Sequence, residues 1–166
     1  MGTAENSQKT NADQGPVLVA VDFSEDSDAA LDWACDYAKC MKAPLLILHV
    51  IHDPAHAPGF YRKEEEDWSL PMSQVAERLL SEFLTKAHER LPDCKPLEQA
   101  QVKHVTGLPP GRIIEVAETE DARMIVIGSR GRTGLAHILL GSVAERVVQM
   151  SPVPVVVIKA QKQVVE

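Results

Sequence analysis

Short apolar runs separated by helical patterns constrain this chain more than anything else in it. Val17-Leu18-Val19-Ala20-Val21, Leu45-Leu46-Ile47-Leu48-His49-Val50, Met124-Ile125-Val126-Ile127 and Val153-Pro154-Val155-Val156-Val157-Ile158 lack the apolar–polar alternation of a strand with one wet face. Strands of that kind are covered on both sides, as in the parallel sheets of α/β proteins. Helical periodicity fills the gaps. Ser24 caps a helix to Met41 with Ala30, Leu31, Ala34 and Ala38 on one face, and Glu25, Asp26 and Asp28 in its first turn. A second runs from Pro71 to about Leu91 with Val75, Leu79, Leu80, Phe83, Leu84 and Ala87 aligned, and a third from Pro110 to Glu120. A fourth spans Ser142 to Met150, while Ala100 to Thr106 alternates weakly and fits an edge strand. The expected fold is α/β: a single-domain open parallel five-stranded sheet, strand order 3-2-1-4-5, with helices on both faces and right-handed crossovers.

At 166 residues the chain is expected to form one domain over residues 16–160, between a disordered tail at 1–15 and a short tail at 161–166. Aromatic residues make up only 4%, so aliphatic side chains must fill the core. A net charge of −7 argues against a sequence-independent hold on nucleic acid. No apolar run approaches the roughly 20 residues of a membrane span, and the polar start has neither a secretory core nor a myristoylation pattern. A cytoplasmic protein without membrane insertion is expected. Cys35, Cys40 and Cys94 are odd in number and lack zinc or redox spacing, which fits free thiols in a reducing compartment. Residues 51–70 lose periodicity and carry Pro54 and Pro58 beside Glu64-Glu65-Glu66-Asp67, a length typical of lids or binding loops.

Chemistry concentrates after the 124–127 run. Gly128-Ser129-Arg130-Gly131 follows it directly, and Gly141-Ser142 opens the last helix. Glycines at a strand end let main-chain N–H groups approach an anion, and a helix start aims its free amides at the same spot. In an open parallel sheet that spot lies beyond the strand ends, where the strand order reverses. With the first and fourth strands adjacent, Asp22 and the Gly128 loop line one crevice. The loop is not a P-loop, since no Gly-Lys-Ser/Thr follows, and its spacing is not the dinucleotide fingerprint. Ser142-x-x-Glu145 also has the form of a capping box, which leaves Ser142 as helix cap, phosphate contact or both.

These residues resemble the ATP-binding branch of the universal stress proteins. That branch carries Gly-x2-Gly-x9-Gly-Ser/Thr, matched by Gly128, Gly131, Gly141 and Ser142, with Val21-Asp22-Phe23-Ser24 and Leu48-His49-Val50-Ile51 as supporting motifs. The likeness runs from about Pro16 to Lys159; Arg123 stands where the family often has Asp. It implies that Val21, Asp22 and the Val50 backbone line the adenine side and that Gly128 borders the ribose. It also implies that Gly131, Gly141, Ser142 and Val143 bind phosphates through N–H groups and the Ser hydroxyl. Arg123, Arg130 and Arg132 occupy a stretch free of acids, so they are expected to favour polyphosphate there, while the acids after Ser24 repel it from the first helix. Mg²⁺ is the usual companion of a triphosphate. His49, His52, Asp53 and His56 lack a recognised ligand spacing, so no metal site is assigned.

The run Val153 to Ile158 is too apolar for a bare edge, and the resemblance implies antiparallel pairing with a second copy in a two-fold dimer. The function implied is an ATP-dependent regulator in stress response, acting on an enzyme or transporter. A slow ATPase or self-phosphorylating protein is the alternative, although no catalytic set is evident; a purely structural dimer is the third.

Overall fold

The computed structural model describes residues 15–52, 70–131 and 140–161. The expected N-terminal tail up to residue 14, most of the 51–70 loop, Arg132 and residues 162–166 lie outside the described residues. Five parallel strands form one sheet in the order β3-β2-β1-β4-β5: β1 (Val17–Ala20), β2 (Leu45–Ile51), β3 (Gln101–Thr106), β4 (Met124–Gly128) and β5 (Val155–Ile158). Strand order and class agree with the sequence expectation. The helices are α1 (Glu25–Met41), α2 (Met72–Arg90), α3 (Lys95–Glu98), α4 (Pro109–Thr119) and α5 (Ser142–Met150). The short α3 was not legible: one turn around Lys95-Pro96-Leu97 has no periodicity to detect, and only Leu97 is buried.

Alternation along each strand splits the core into two layers. Val17, Val19, Leu45, Ile47 and Val126 meet Ala30, Leu31, Ala34 and Ala38 of α1, with Leu80, Phe83 and Ala87 of α2, on one face. Leu18, Leu46, Leu48, Ile125 and Ile127 meet Ile113, Ile114, Val116 and Ala117 of α4, with Ala144 and Val147 of α5, on the other. Leu18, Leu46 and Leu48 are wholly buried, each stabilising the fold by about 1.5–3 kcal/mol. Alanines at the α1 contact positions let that helix lie close against the sheet.

The register sets the site. Ala20, the last residue of β1, pairs with Ile127 and with Leu48, so β1 and β4 end within a residue of each other while β2 runs on to Ile51. From β1 the chain winds outward through β2 to β3, then returns to β4 on the opposite side. The reversal falls between β1 and β4, and a crevice opens beyond their carboxyl ends.

Cys35 is buried, Cys94 partly so and Cys40 exposed, and all three are free thiols. Burial, with Cys94 alongside, pushes the Cys35 thiol far above its ordinary range.

Candidate nucleotide site

Asp22 and Gly131 meet in close contact beyond the carboxyl ends of β1 and β4. A Cβ added at Gly131 would lie 2.7 Å from Asp22 Oδ2, so nothing larger than glycine fits there without moving that carboxylate. The carboxylate is fixed on its other oxygen: Asp22 Oδ1 accepts from the Ser24 amide (3.2 Å), the Ser24 hydroxyl (2.5 Å) and the Ser27 hydroxyl (2.8 Å). Ser24 also caps α1 in a reciprocal box with Ser27. Its hydroxyl stands 3.3 Å from the Arg130 carbonyl and so ties the two turns together.

Between Asp22 and Ser24, Phe23 adopts a left-handed backbone (φ 66°), a strained state for a bulky residue. Its ring is held by stacking on His49 at 4.3 Å and by Phe83 at 5.7 Å. His49 is buried, and its Nδ1 lies 2.8 Å from the Val21 carbonyl. The Val21 amide donates to Leu48, so Val21 continues β1 and delivers Asp22 to the crevice. Val50, one residue before the end of β2, is buried, and His52 Nδ1 reaches its carbonyl at 3.4 Å.

Burial pushes His49 down to about 4, only partly offset by the Val21 hydrogen bond and by nearby Asp22; His52 and His104 lower it further. The ring is therefore neutral at pH 7. A folded-state pKa below the unfolded value of about 6.5 means that the unfolded chain binds the extra proton. His49 then contributes full stability above pH 6.5, and about 3 kcal/mol of it is lost as the pH falls towards 4. Urea unfolding from pH 7 to pH 4 is expected to show this decline, and a His49→Gln variant is expected to flatten it.

The turn after β4 packs on backbone rather than on open space. At Gly128 an added Cβ would meet the Asp26 carbonyl carbon and Cβ, both at 2.9 Å, so this glycine lets α1 close on β4. At Gly141 it would stand 3.3 Å from the Ser129 carbonyl oxygen and 3.8 Å from the Gly131 nitrogen. The start of α5 thus abuts the Ser129-Arg130-Gly131 turn. The Gly141 amide does not point to a ligand: it donates to the Ser129 carbonyl at 2.7 Å. Of the two glycine amides expected to face an anion, this one is taken up inside the protein, which leaves Gly131 with the first turn of α5.

Ser142 is the first helical residue rather than the cap. Gly141 occupies the cap position with no side-chain hydrogen bond, so the expected Ser142–Glu145 capping box is absent. Among the described residues no side chain accepts from the amides of Ser142 and Val143, and the Ser142 hydroxyl is exposed.

Charge is arranged differently from the sequence expectation. Arg123 lies at the amino end of β4, with its Nε donating to Gly15, at the far end of the sheet from the crevice. Arg130 is at the crevice, but its guanidinium is paired with Asp26 (Nε to Oδ2, 3.3 Å). Asp26 in turn does not face outward from the first turn of α1. It is only 3% exposed and accepts hydrogen bonds from Ser129, Arg130 and Ala160. Burial alone raises its carboxyl, yet those hydrogen bonds and the Arg130 charge hold it below the ordinary carboxylate value. Sequence reasoning missed this clasp because an acid in a first helical turn has a sufficient local explanation in the helix dipole. Among the described residues no three His, Cys, Asp or Glu side chains assemble as a metal site; Asp53 and His56 lie outside them.

A doubly wound parallel sheet with its crevice between β1 and β4 defines a class of α/β proteins that take ligands at that point. The universal stress protein family model matches residues 15–159, and the chain belongs to that family. It is 37% identical over 155 residues to a universal stress protein of Mycobacterium tuberculosis, covering 92% of this chain and 48% of that one. The chain thus spans about half the length of the mycobacterial relatives it matches. A universal stress protein of Methanocaldococcus jannaschii is 34% identical, covering 89% of this chain and 83% of its own. Among solved structures, the M. jannaschii protein MJ0577 superposes with a TM-score of 0.62 at 29% identity, covering 90% of this chain and 99% of that one. The universal stress protein from Archaeoglobus fulgidus in complex with dAMP gives a TM-score of 0.57 at 26% identity, covering 87% and 98%. No described helix is long and apolar enough to cross a membrane.

Proposed function

We propose that this protein binds ATP at the β1–β4 crevice and acts as a nucleotide-dependent regulator. The observation that carries the reading is the meeting of the Gly131 turn, beside Asp22, with the start of α5, whose Gly141 cap brings no side chain to its first amides. Amides of Gly131, Ser142 and Val143 and the Ser142 hydroxyl take the phosphates, as free amides at a helix start do for anions. Gly128 borders the ribose, while Val21, Asp22 and the Val50 backbone line the adenine side. Gly141 acts through its missing side chain, which lets α5 approach the turn. A universal stress protein solved with dAMP supports an adenine nucleotide as the ligand class. The residues fit the group: a Cβ would fill the cradle at Gly131 or Gly141. Mg²⁺ accompanies a bound triphosphate, held by its oxygens and water.

The output is a change in the partner-competent conformation, which requires that the two conformations differ in affinity for the nucleotide. The partner is an enzyme or transporter in the cytoplasm. The free side of β5 carries the dimer: Val155 to Ile158 are only half-buried, and β5 pairs with β4 alone among the described strands. Antiparallel pairing of Val153 to Ile158 with a second copy satisfies those main-chain groups.

Titration calorimetry with ATP, ADP and AMP, with and without Mg²⁺, tests the reading. Saturable binding at one site per chain with a dissociation constant below about 100 μM is expected, equivalent to roughly 5–6 kcal/mol. Absence of heat and of competition at millimolar nucleotide removes the proposal.

A further inference from the structure

The Asp26 clasp ties α1 to two segments distant in sequence through one buried carboxylate. Oδ2 accepts from the Ser129 hydroxyl (2.7 Å), the Arg130 amide (3.0 Å) and Arg130 Nε (3.3 Å). Oδ1 accepts from the Ala160 amide (3.0 Å) and a terminal guanidinium nitrogen of Arg130 (3.4 Å). Ser129 and Arg130 belong to the turn that faces the crevice, and Ala160 follows β5.

We propose that Asp26 determines how strongly this site prefers long phosphate chains, by holding the Arg130 guanidinium against α1 instead of releasing it to the ligand. The inference rests on nucleotide binding at the crevice. Arg130 stands next to Gly131 in the turn assigned to the phosphates, yet its charge is compensated by a side chain only 4% exposed. Drawing the guanidinium away leaves a buried carboxylate without its cation, a costly state in a protein interior. The pair therefore stays closed when nucleotide binds, and main-chain amides recognise the phosphates. Amides bind each phosphate by short-range hydrogen bonds, whereas a free arginine rewards added phosphate charge directly. A site with Arg130 withdrawn thus separates ATP from AMP weakly.

Asp26→Asn is the informative substitution, because asparagine is isosteric but keeps only one acceptor oxygen. Each carboxylate oxygen accepts a main-chain amide, one from Arg130 and the other from Ala160, so either orientation of the Asn amide sets its NH₂ group against an N–H. The guanidinium also loses its anion and turns to the ligand. The readout is the ratio of the AMP to the ATP dissociation constant, measured without metal. A general loosening of the turn costs ATP at least as much as AMP, since more of its phosphates lie there, so it can lower this ratio but not raise it.

The expected result is a rise in that ratio on the order of tenfold in Asp26→Asn over wild type, abolished in the Asp26→Asn/Arg130→Met double variant. A ratio unchanged in Asp26→Asn, or a rise that persists in the double variant, overturns the proposal. If Asp26→Asn does not fold, the Arg130 Nε–H resonance of the wild type decides. It is expected to hold its position when ATP is added, and a large shift on ATP but not AMP overturns the proposal. A wild type that binds no adenine nucleotide removes the underlying reading together with this one, an outcome distinct from an unchanged ratio.

Discussion

Gly128→Val is expected to destabilise the protein by about 3 kcal/mol or more, the upper range for overpacking a rigid contact. The missing Cβ faces the Asp26 carbonyl carbon at 2.9 Å and its oxygen at 3.1 Å. Main chain cannot rotate away as a flexible side-chain end can, so α1 must lift from β4. That movement also breaks the hydrogen bonds from Ser129 and Arg130 to Asp26, because both follow Gly128 directly. Urea unfolding followed by circular dichroism measures the effect as a lower midpoint. A valine variant with the wild-type midpoint means that α1 does not close on β4 as described.

Gly141→Val is expected to weaken nucleotide binding at least 100-fold, about 2.7 kcal/mol, while the fold survives. The backbone at Gly141 is extended (φ −73°), which valine tolerates, so the fold loses only about 1 kcal/mol from a poorer helix cap. Binding suffers more. The first side-chain carbon stands 3.3 Å from the Ser129 oxygen and 3.5 Å from the Arg130 Cα, and the two methyl groups need further room. Either the start of α5 shifts or the turn does, and the amides of Gly131, Ser142 and Val143 no longer share one anion. Calorimetry with ATP on the folded variant reads this. Wild-type affinity in Gly141→Val refutes the site assignment.

The sheet order was legible because continuous apolar runs, helical periods and handedness leave little choice once five strands alternate with helices. That Asp22 lies beside the Gly128 loop was legible too, since β1 lies beside β4; its direct contact with Gly131 was not. What escaped depends on contacts far apart in sequence. Asp26 meets Arg130 and Ala160 across 104 and 134 positions, and nothing in Glu25-Asp26-Ser27-Asp28 distinguishes the buried acid from the exposed Glu25 or the half-buried Asp28. Phe23 hides its left-handed backbone because only the stack on His49 and Phe83 makes that conformation affordable. At Ser142 the sequence matched a capping box, but α5 starts one residue too early for the hydroxyl to cap it. The three arginines looked like a cluster in sequence; β4 puts its own length between Arg123 and Arg130.

The most direct test is the amide spectrum of the ¹⁵N-labelled protein during titration with ATP. Binding as described moves the resonances of Gly131, Ser142 and Val143 together, at one saturating concentration, with Gly141 held by its bond to Ser129 and moving least of the four. Saturation by ATP that leaves Gly131, Ser142 and Val143 in place, with the changes gathered elsewhere on the sheet, contradicts the account.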